Sequence, residues 1–352
     1  MSVENMLSAL NLEMSAKVPR TEYSAHTHWP LIERVTGLRV DADSTPEERE
    51  EASRQFVRAW DYSMMWNVCI SSEIFGDQRT SMGHAVYAEG GTDYSDQIFQ
   101  LFEDPEDVYD YDLFEAHGTP DVDAIARRCD ENFNLQNRLY PDCLNMAGIY
   151  VTCISGVLEL LGWDTLLMAA GIDPEAFGAF INRYCDWISC YFQGLAKCKS
   201  PVIMVHDDIV WGNGPFLAPE YYRKYVFANY KKLFAPLHDC GKKILYTSDG
   251  NYSAFVDDVA ACGVNGFVME PATDMAYIAE KYGKTHVFVG NADTSILLSG
   301  GREAIEAEVR RCMDVGRRCP GFVMAVGNHI PANTPVENCL IYNEIYEKLA
   351  RR

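Results

Sequence analysis

Five clusters of polar or ionisable side chains stand out in the second half of the chain: His206-Asp207-Asp208, Ser248-Asp249, Glu270, Asn291 with Asp293, and Asn328-His329. Each closes a short apolar run, in SPVIMVHDD, KKILYTSDG, VNGFVMEP, THVFVGNAD and GFVMAVGNH. Carboxylates and imidazoles so placed can act as general acids or bases, or can hold a divalent metal ion. One aspartate before a Gly-Asn turn would be ordinary loop chemistry, but five successive runs ending alike ask for a common cause. Asp249 and Asp208 are the candidate catalytic residues, although Asp207 or Asp208 could instead cap the turn that follows. Asp249, Glu270 and His329 are the candidate metal ligands. Glu270 could alternatively be a buried acid paired with a lysine, and His329 a hydrogen-bonded core or loop residue. His26 and His28, in SAHTHWP, follow the first expected strand and are candidate substrate contacts, with His206, Trp211 and Asn291. Tyr23, Trp29, Trp66 and Trp211 could supply an aromatic wall, while His84, His117, His238 and His286 have no such context and are expected to be structural or superficial.

The elements that carry these clusters alternate in type. Between the apolar runs lie helical segments such as APEYYRKYVFANYKKLFAPLHDCG, YSAFVDDVAACG and GREAIEAEVRRCMDVGRRC, several of which end in glycine. Strand and helix in alternation imply a parallel sheet, and near-continuous apolar strands imply that both its faces are covered. RTEYSAH, GHAVYAEG and IYVTCISG are the candidate strands of the first half. Eight strands in this length predict a single (β/α)₈ barrel over residues 1–352, with N-terminal helices over 1–18 and about 44–60. In the latter, Ser44 or Thr45 can cap, and Pro46 suits the first turn. DPEAFGAFINRYCDWISCYFQGLAK reads as a long amphipathic helix. A parallel barrel brings all its strand ends to one face, which would gather the five clusters into one site.

Composition narrows the function classes. With 30 Lys and Arg against 51 Asp and Glu, the formal charge is -21, which disfavours nucleic acid and anionic membranes as partners. The N-terminus shows no secretory pattern and no window of 18 uninterrupted apolar residues occurs, so a cytoplasmic protein is expected. The 12 cysteines include no CxxC and are expected to be mostly buried thiols, as in a reducing, anaerobic cell. There is no GxGxxG, Walker loop or GxSxG elbow, which argues against nucleotide enzymes and serine hydrolases.

The blocks HDDIVWGNGPFLAPEYYRKYV, SDGNYSAFVDDVAACGVNGFVMEP, VFVGNADTSILLSGGREAIEAEVRRCM and GNHIPANTPVENC give the chain a resemblance to the uroporphyrinogen decarboxylase superfamily of (β/α)₈ barrels. That group includes decarboxylases and corrinoid-dependent methyltransferases. A decarboxylase of the group carries an arginine-rich RQAGRY-like stretch, whereas the corresponding KVPRTEYSAHTHWP has Arg20 as its only arginine. Many of the methyltransferases bind zinc through His-x-Cys and a later Cys; here Thr247, Asp249 and Asn328 occupy those positions. The resemblance therefore implies methyl transfer with an oxygen- and nitrogen-rich site. Zinc on Asp249, Glu270 and His329 could polarise an ether oxygen of a methoxylated donor, aromatic donors included. The methyl group would pass to the Co(I) corrinoid of a partner protein, since no cobalamin-binding DxHxxG segment occurs. The alternatives are decarboxylation, of a porphyrinogen or another small acid, and a barrel that has lost catalysis.

Overall fold

The computed structural model describes residues 2–81, 87–88, 91–92 and 99–352. Its centre is a sheet of six parallel strands: β1 (Ala147–Ile149), β2 (Val202–His206), β3 (Lys243–Ser248), β4 (Gly266–Met269), β5 (Val287–Ala292) and β6 (Phe322–Val326). Neighbours in the sheet are neighbours in sequence, as right-handed β-α-β units require. Two extended segments close the ring. Arg20 bridges Met324 of β6 in parallel, Ser63 N–H donates to the Arg20 carbonyl, and Met64 bridges Leu144, just before β1. Counted from residue 20, the ring has eight positions, and the fold is a (β/α)₈ barrel.

Side chains along each strand alternate between two cores, the period expected of strands with both faces covered. Val202 and Met204, Val287 and Val289, and Val323 and Ala325 point into the barrel. Ile203 and Val205, Phe288, and Phe322 and Met324 point out into the helical layer. The lower end of the barrel is plugged by α1 (Ser2–Leu10), whose Met6, Ala9 and Leu10 join the inner core. This helix is shorter than the 1–18 expected: Leu12 takes a positive φ of 58°, which ends helical geometry before the chain enters the ring.

Two other helices follow the sequence expectation. The helix α3 (Pro46–Ala59), which follows α2 (Trp29–Thr36), starts at a capping box in which Thr45 and Glu48 satisfy each other's backbone N–H groups. Next, α4 (Ile154–Ile172) leads into α5 (Pro174–Lys197), the long helix that its periodicity implied, and Asp173 caps it.

The first-half strands need correction. RTEYSAH contributes only the bridge at Arg20, after which Ala25–Thr27 turn into a 3₁₀ helix. Much of GHAVYAEG, His84 included, lies outside the described residues. Its Tyr87–Ala88 pairs antiparallel with Gly91–Thr92 and is no part of the barrel. IYVTCISG is split: β1 ends at Ile149, and α4 begins at Ile154 because the Asp207 carboxylate accepts from the N–H groups of Ile154 and Ser155, at 3.1 and 2.6 Å. Apolar content alone could not separate strand from buried helix in that run. Among the described residues only α4 is long and apolar enough to cross a membrane, and 67% of its apolar window is buried in the protein. The cysteines are free thiols, nine of the twelve buried.

Candidate active site

A cavity of about 440 Å³ opens at the C-terminal ends of the strands. Its lining changes in character around the ring. The first three positions contribute aromatic rings: Tyr23 after the first, Trp66 after the second and Tyr150 directly after β1. The fourth to sixth contribute acids: Asp208 after β2, Asp249 after β3 and Glu270 after β4. The eighth adds Gly327, Asn328 and His329. Val68, Met204 and Met269 add apolar surface, and among the described residues no lysine or arginine lines the cavity.

The acids are locked into one network. Asp208 accepts from the Asp249 backbone N–H at 2.8 Å and lies 3.1 Å from His206 Nε2. The His206 ring stacks on Tyr150, with 3.6 Å between centroids and 9° between planes. Glu270 accepts from the Gly250 N–H at 2.7 Å, and the Asn328 amide donates both to Glu270 at 2.5 Å and to Asp249 at 3.2 Å. Gly250 makes this possible. Its φ is 78°, and a Cβ there would fall 2.7 Å from the Trp211 carbonyl oxygen. The turn after β3 thus aims its N–H at Glu270 and the Asp249 side chain into the cavity. Although the Asp249 carboxyl is open to the cavity, protein surrounds that cavity closely. Burial, then the charges of Asp208 and Glu270, raise its pKa to about 7, against the weaker opposing pull of His206 and the Asn328 hydrogen bond.

Of the residues singled out in the sequence, Asp208, Asp249, His206, Glu270 and His329 meet at this cavity, as do Tyr23 and Trp66 of the expected aromatic wall, whereas Trp29 is not in the lining. Asp207 does not: it is fully buried, capping α4 and accepting from Tyr230 Oη, and burial raises its pKa. The four other expected substrate contacts are corrected. His28 is the N-cap of α2; its Nδ1 accepts from the Leu31 N–H and its Nε2 bonds the Thr334 carbonyl. Asn291 is buried between the Glu270 and Thr273 carbonyls and the Arg311 guanidinium. Trp211 sits 48% exposed on the two-stranded ladder Val210–Trp211 with Gly214–Pro215, packed on Trp163 and Phe216. His26 is not in the lining; burial, then the neighbouring His329, lower its pKa to about 4. His117 and His286 are half-buried, beside Trp187 and Phe267 respectively. The sequence reading missed Tyr150 and gave Asn328 no task of its own. Tyr150 had a signal, as the residue after an apolar run; the bridging by Asn328 had none.

Zinc does not fit the expected ligands. Among the described residues no three His, Cys, Asp or Glu side chains come together as a metal-binding group. Both Glu270 oxygens are engaged by N–H donors, the Asn328 amide nitrogen occupies the place between Glu270 and Asp249, and the His329 ring faces Tyr23 at 6.2 Å. Thr247, Asp249 and Asn328 do line one cavity, yet they bring neither thiolate nor imidazole to it.

Arg20 is also not among the residues that line the cavity. It is fully buried, bonded to Glu22 at 2.9 Å and packed over the rings of Trp60 and Tyr346.

The family model for uroporphyrinogen decarboxylase (URO-D) matches residues 158–348. A uroporphyrinogen decarboxylase of Syntrophotalea carbinolica is 27% identical over 178 residues, 51% of this chain and 50% of that relative. One from Geotalea uraniireducens is 25% identical over 190 residues, 54% of each. The chain thus spans about half the length of the curated relatives it matches. The solved structure of a methyltransferase from Methanosarcina mazei covers 99% of this chain and 98% of its own, with a TM-score of 0.65 and 17% identity. At that identity the likeness speaks for the fold alone.

Proposed function

This chain belongs to the uroporphyrinogen decarboxylase family, and from that premise we propose that it is a methyltransferase, moving the methyl group of a methoxylated substrate to the Co(I) corrinoid of a partner protein. The observation that carries this reading is an acid, Asp249, facing a cavity that, among the described residues, no lysine or arginine lines, with burial raising its pKa to about 7. A porphyrinogen presents several carboxylates, which call for clustered cations. Arg20, the one arginine of the stretch where decarboxylases resemble RQAGRY, is enclosed in an ion pair elsewhere.

Breaking a methyl C–O bond leaves an alkoxide or phenoxide, a poor leaving group at neutral pH. The partner's corrinoid supplies a strong nucleophile as a co-substrate. The tasks left to this chain are orientation of the ether and protonation of its oxygen. Asp249 suits the second. As the C–O bond breaks, its electron pair stays on oxygen and takes the Asp249 proton; ether, Co(I) and one proton become alcohol and methylated corrinoid. Burial, then the Asp208 charge beside it, favours the protonated form of Asp249 at rest. Tyr23, Trp66 and Tyr150 would flank the organic part of the donor, excluding water from the leaving oxygen.

The test uses the chain with its cognate corrinoid protein reduced to Co(I). A panel of methoxylated aromatics, simple methyl ethers and methanol should contain at least one compound that discharges the Co(I) absorbance. Asp249→Ala should slow that reaction by about tenfold or more. Decarboxylation of uroporphyrinogen with no methyl transfer from any panel member would overturn the assignment.

A further inference from the structure

We infer that the methyl donor is a cation: a methoxylated compound that also carries an ammonium or quaternary ammonium group. This deepens the methyl-transfer reading and takes the reacting group from it, while the ligand's charge is argued independently from the cavity. The lining is segregated. Aromatic rings occupy one arc and three carboxyl groups the next, with no lysine or arginine among them. Tyr23 and Trp66 stack at 4.8 Å into one continuous surface. Aromatic faces together with carboxylates are the chemistry that holds organic ammonium ions, through cation–π attraction and charge. The donors that an anionic ligand would need are already engaged on the acidic arc. The backbone N–H of Asp249 serves Asp208, that of Gly250 serves Glu270, and the Asn328 amide serves Glu270 and Asp249. Even the His329 N–H is turned back onto the Asn328 side-chain oxygen. Apart from the acid proton of Asp249, what this arc presents is acceptors. Burial also lowers the pKa of His329, so that ring favours its neutral form in the cavity. Over longer range, the net charge of -21 attracts cations and repels anions.

The experiment compares four methoxyaryl compounds that differ only at one substituent: aminomethyl, trimethylammoniomethyl, hydroxymethyl and carboxylate. Binding to the full chain without corrinoid protein is measured by titration calorimetry at pH 7.5, where the amine is charged. The two cations should bind about tenfold or more tightly than the carboxylate, with the alcohol between. Glu270→Gln, checked for native circular dichroism, should shrink the ratio of amine to alcohol affinity. A carboxylate that binds as well as the amine, or an amine that does not bind, overturns the inference, as does an unchanged ratio in a folded Glu270→Gln protein. Turnover separates the two readings. Efficient methyl transfer from the carboxylate compound without any preference for cations removes this inference and leaves methyl transfer standing. Tight binding of the cations with no transfer from any methoxylated compound does the reverse.

Discussion

At the first three ring positions the backbone is held by isolated bridges and by the three-residue β1, and the side chains it presents to the cavity are aromatic. At the fourth to sixth it is held by strands of five, six and four residues with continuous parallel ladders, and it presents carboxyl groups. The pairing of backbone regularity with side-chain chemistry has a physical basis. A carboxyl group keeps a raised pKa only where its neighbours are fixed, because electrostatic interactions depend steeply on distance and on excluded water. The hydrophobic burial of an aromatic ring is non-directional by comparison and tolerates a looser frame. The irregular arc is instead anchored from behind, by the buried Arg20–Glu22 pair and by the α2 cap at His28.

That contrast can be broken at several points. The largest effect is expected behind the aromatic arc. Arg20→Ala leaves Glu22 buried without its partner and should cost about 3–5 kcal/mol of stability in chemical denaturation. Nearly unchanged stability with loss of substrate affinity would mean instead that Arg20 serves the cavity. On the acidic arc, Asp249→Asn should keep the fold and lower kcat by about 10²-fold, the usual worth of a positioned general acid. An unaltered kcat would remove Asp249 from the chemistry.

Changing pH sharpens the same point more gently. The acid form of Asp249 is required, so kcat should fall as pH rises through about 7, and the Asn variant should lose that limb. Stability follows the same proton. Asp249 has a folded pKa of about 7 against an ordinary 3.8, so the native state binds more protons between those values. Stability contributed by this group therefore falls as pH rises across that window, and the melting temperature of Asp249→Asn should gain on wild type between pH 4 and 7. The smallest effect concerns His28. Its replacement by alanine removes the α2 cap and should cost about 1 kcal/mol with no change in donor affinity. A fall in affinity greater than the fall in stability would restore His28 to the site.

Much of the acidic arc was legible in the sequence, since regular strands advertise themselves by apolar runs and their ends by the polar residues that follow. Asp208, Asp249 and Glu270 were found that way, and the family's blocks lie in the same half. The aromatic arc was harder to read. Its frame makes too few strand pairings to leave a periodic pattern, so the expected strand at RTEYSAH shrank to one bridge and IYVTCISG divided between β1 and α4. His26 and His28 were drawn to the site by their position after that expected strand, and folding turned one into a cap and set the other outside the lining.

The sequence by itself determined the alternation of strand and helix, the face on which polar strand ends gather, and the scarcity of cations there. These follow from period, order and composition, which are properties of the chain. Tertiary structure alone decided that Asp207 caps a helix while Asp208 faces the cavity, that Asn328 occupies the place between two acids where a metal was expected, and that Asp249 titrates near neutrality. Each depends on which groups from distant segments lie within a few ångströms and on how far water is excluded, and neither quantity exists until the barrel has closed.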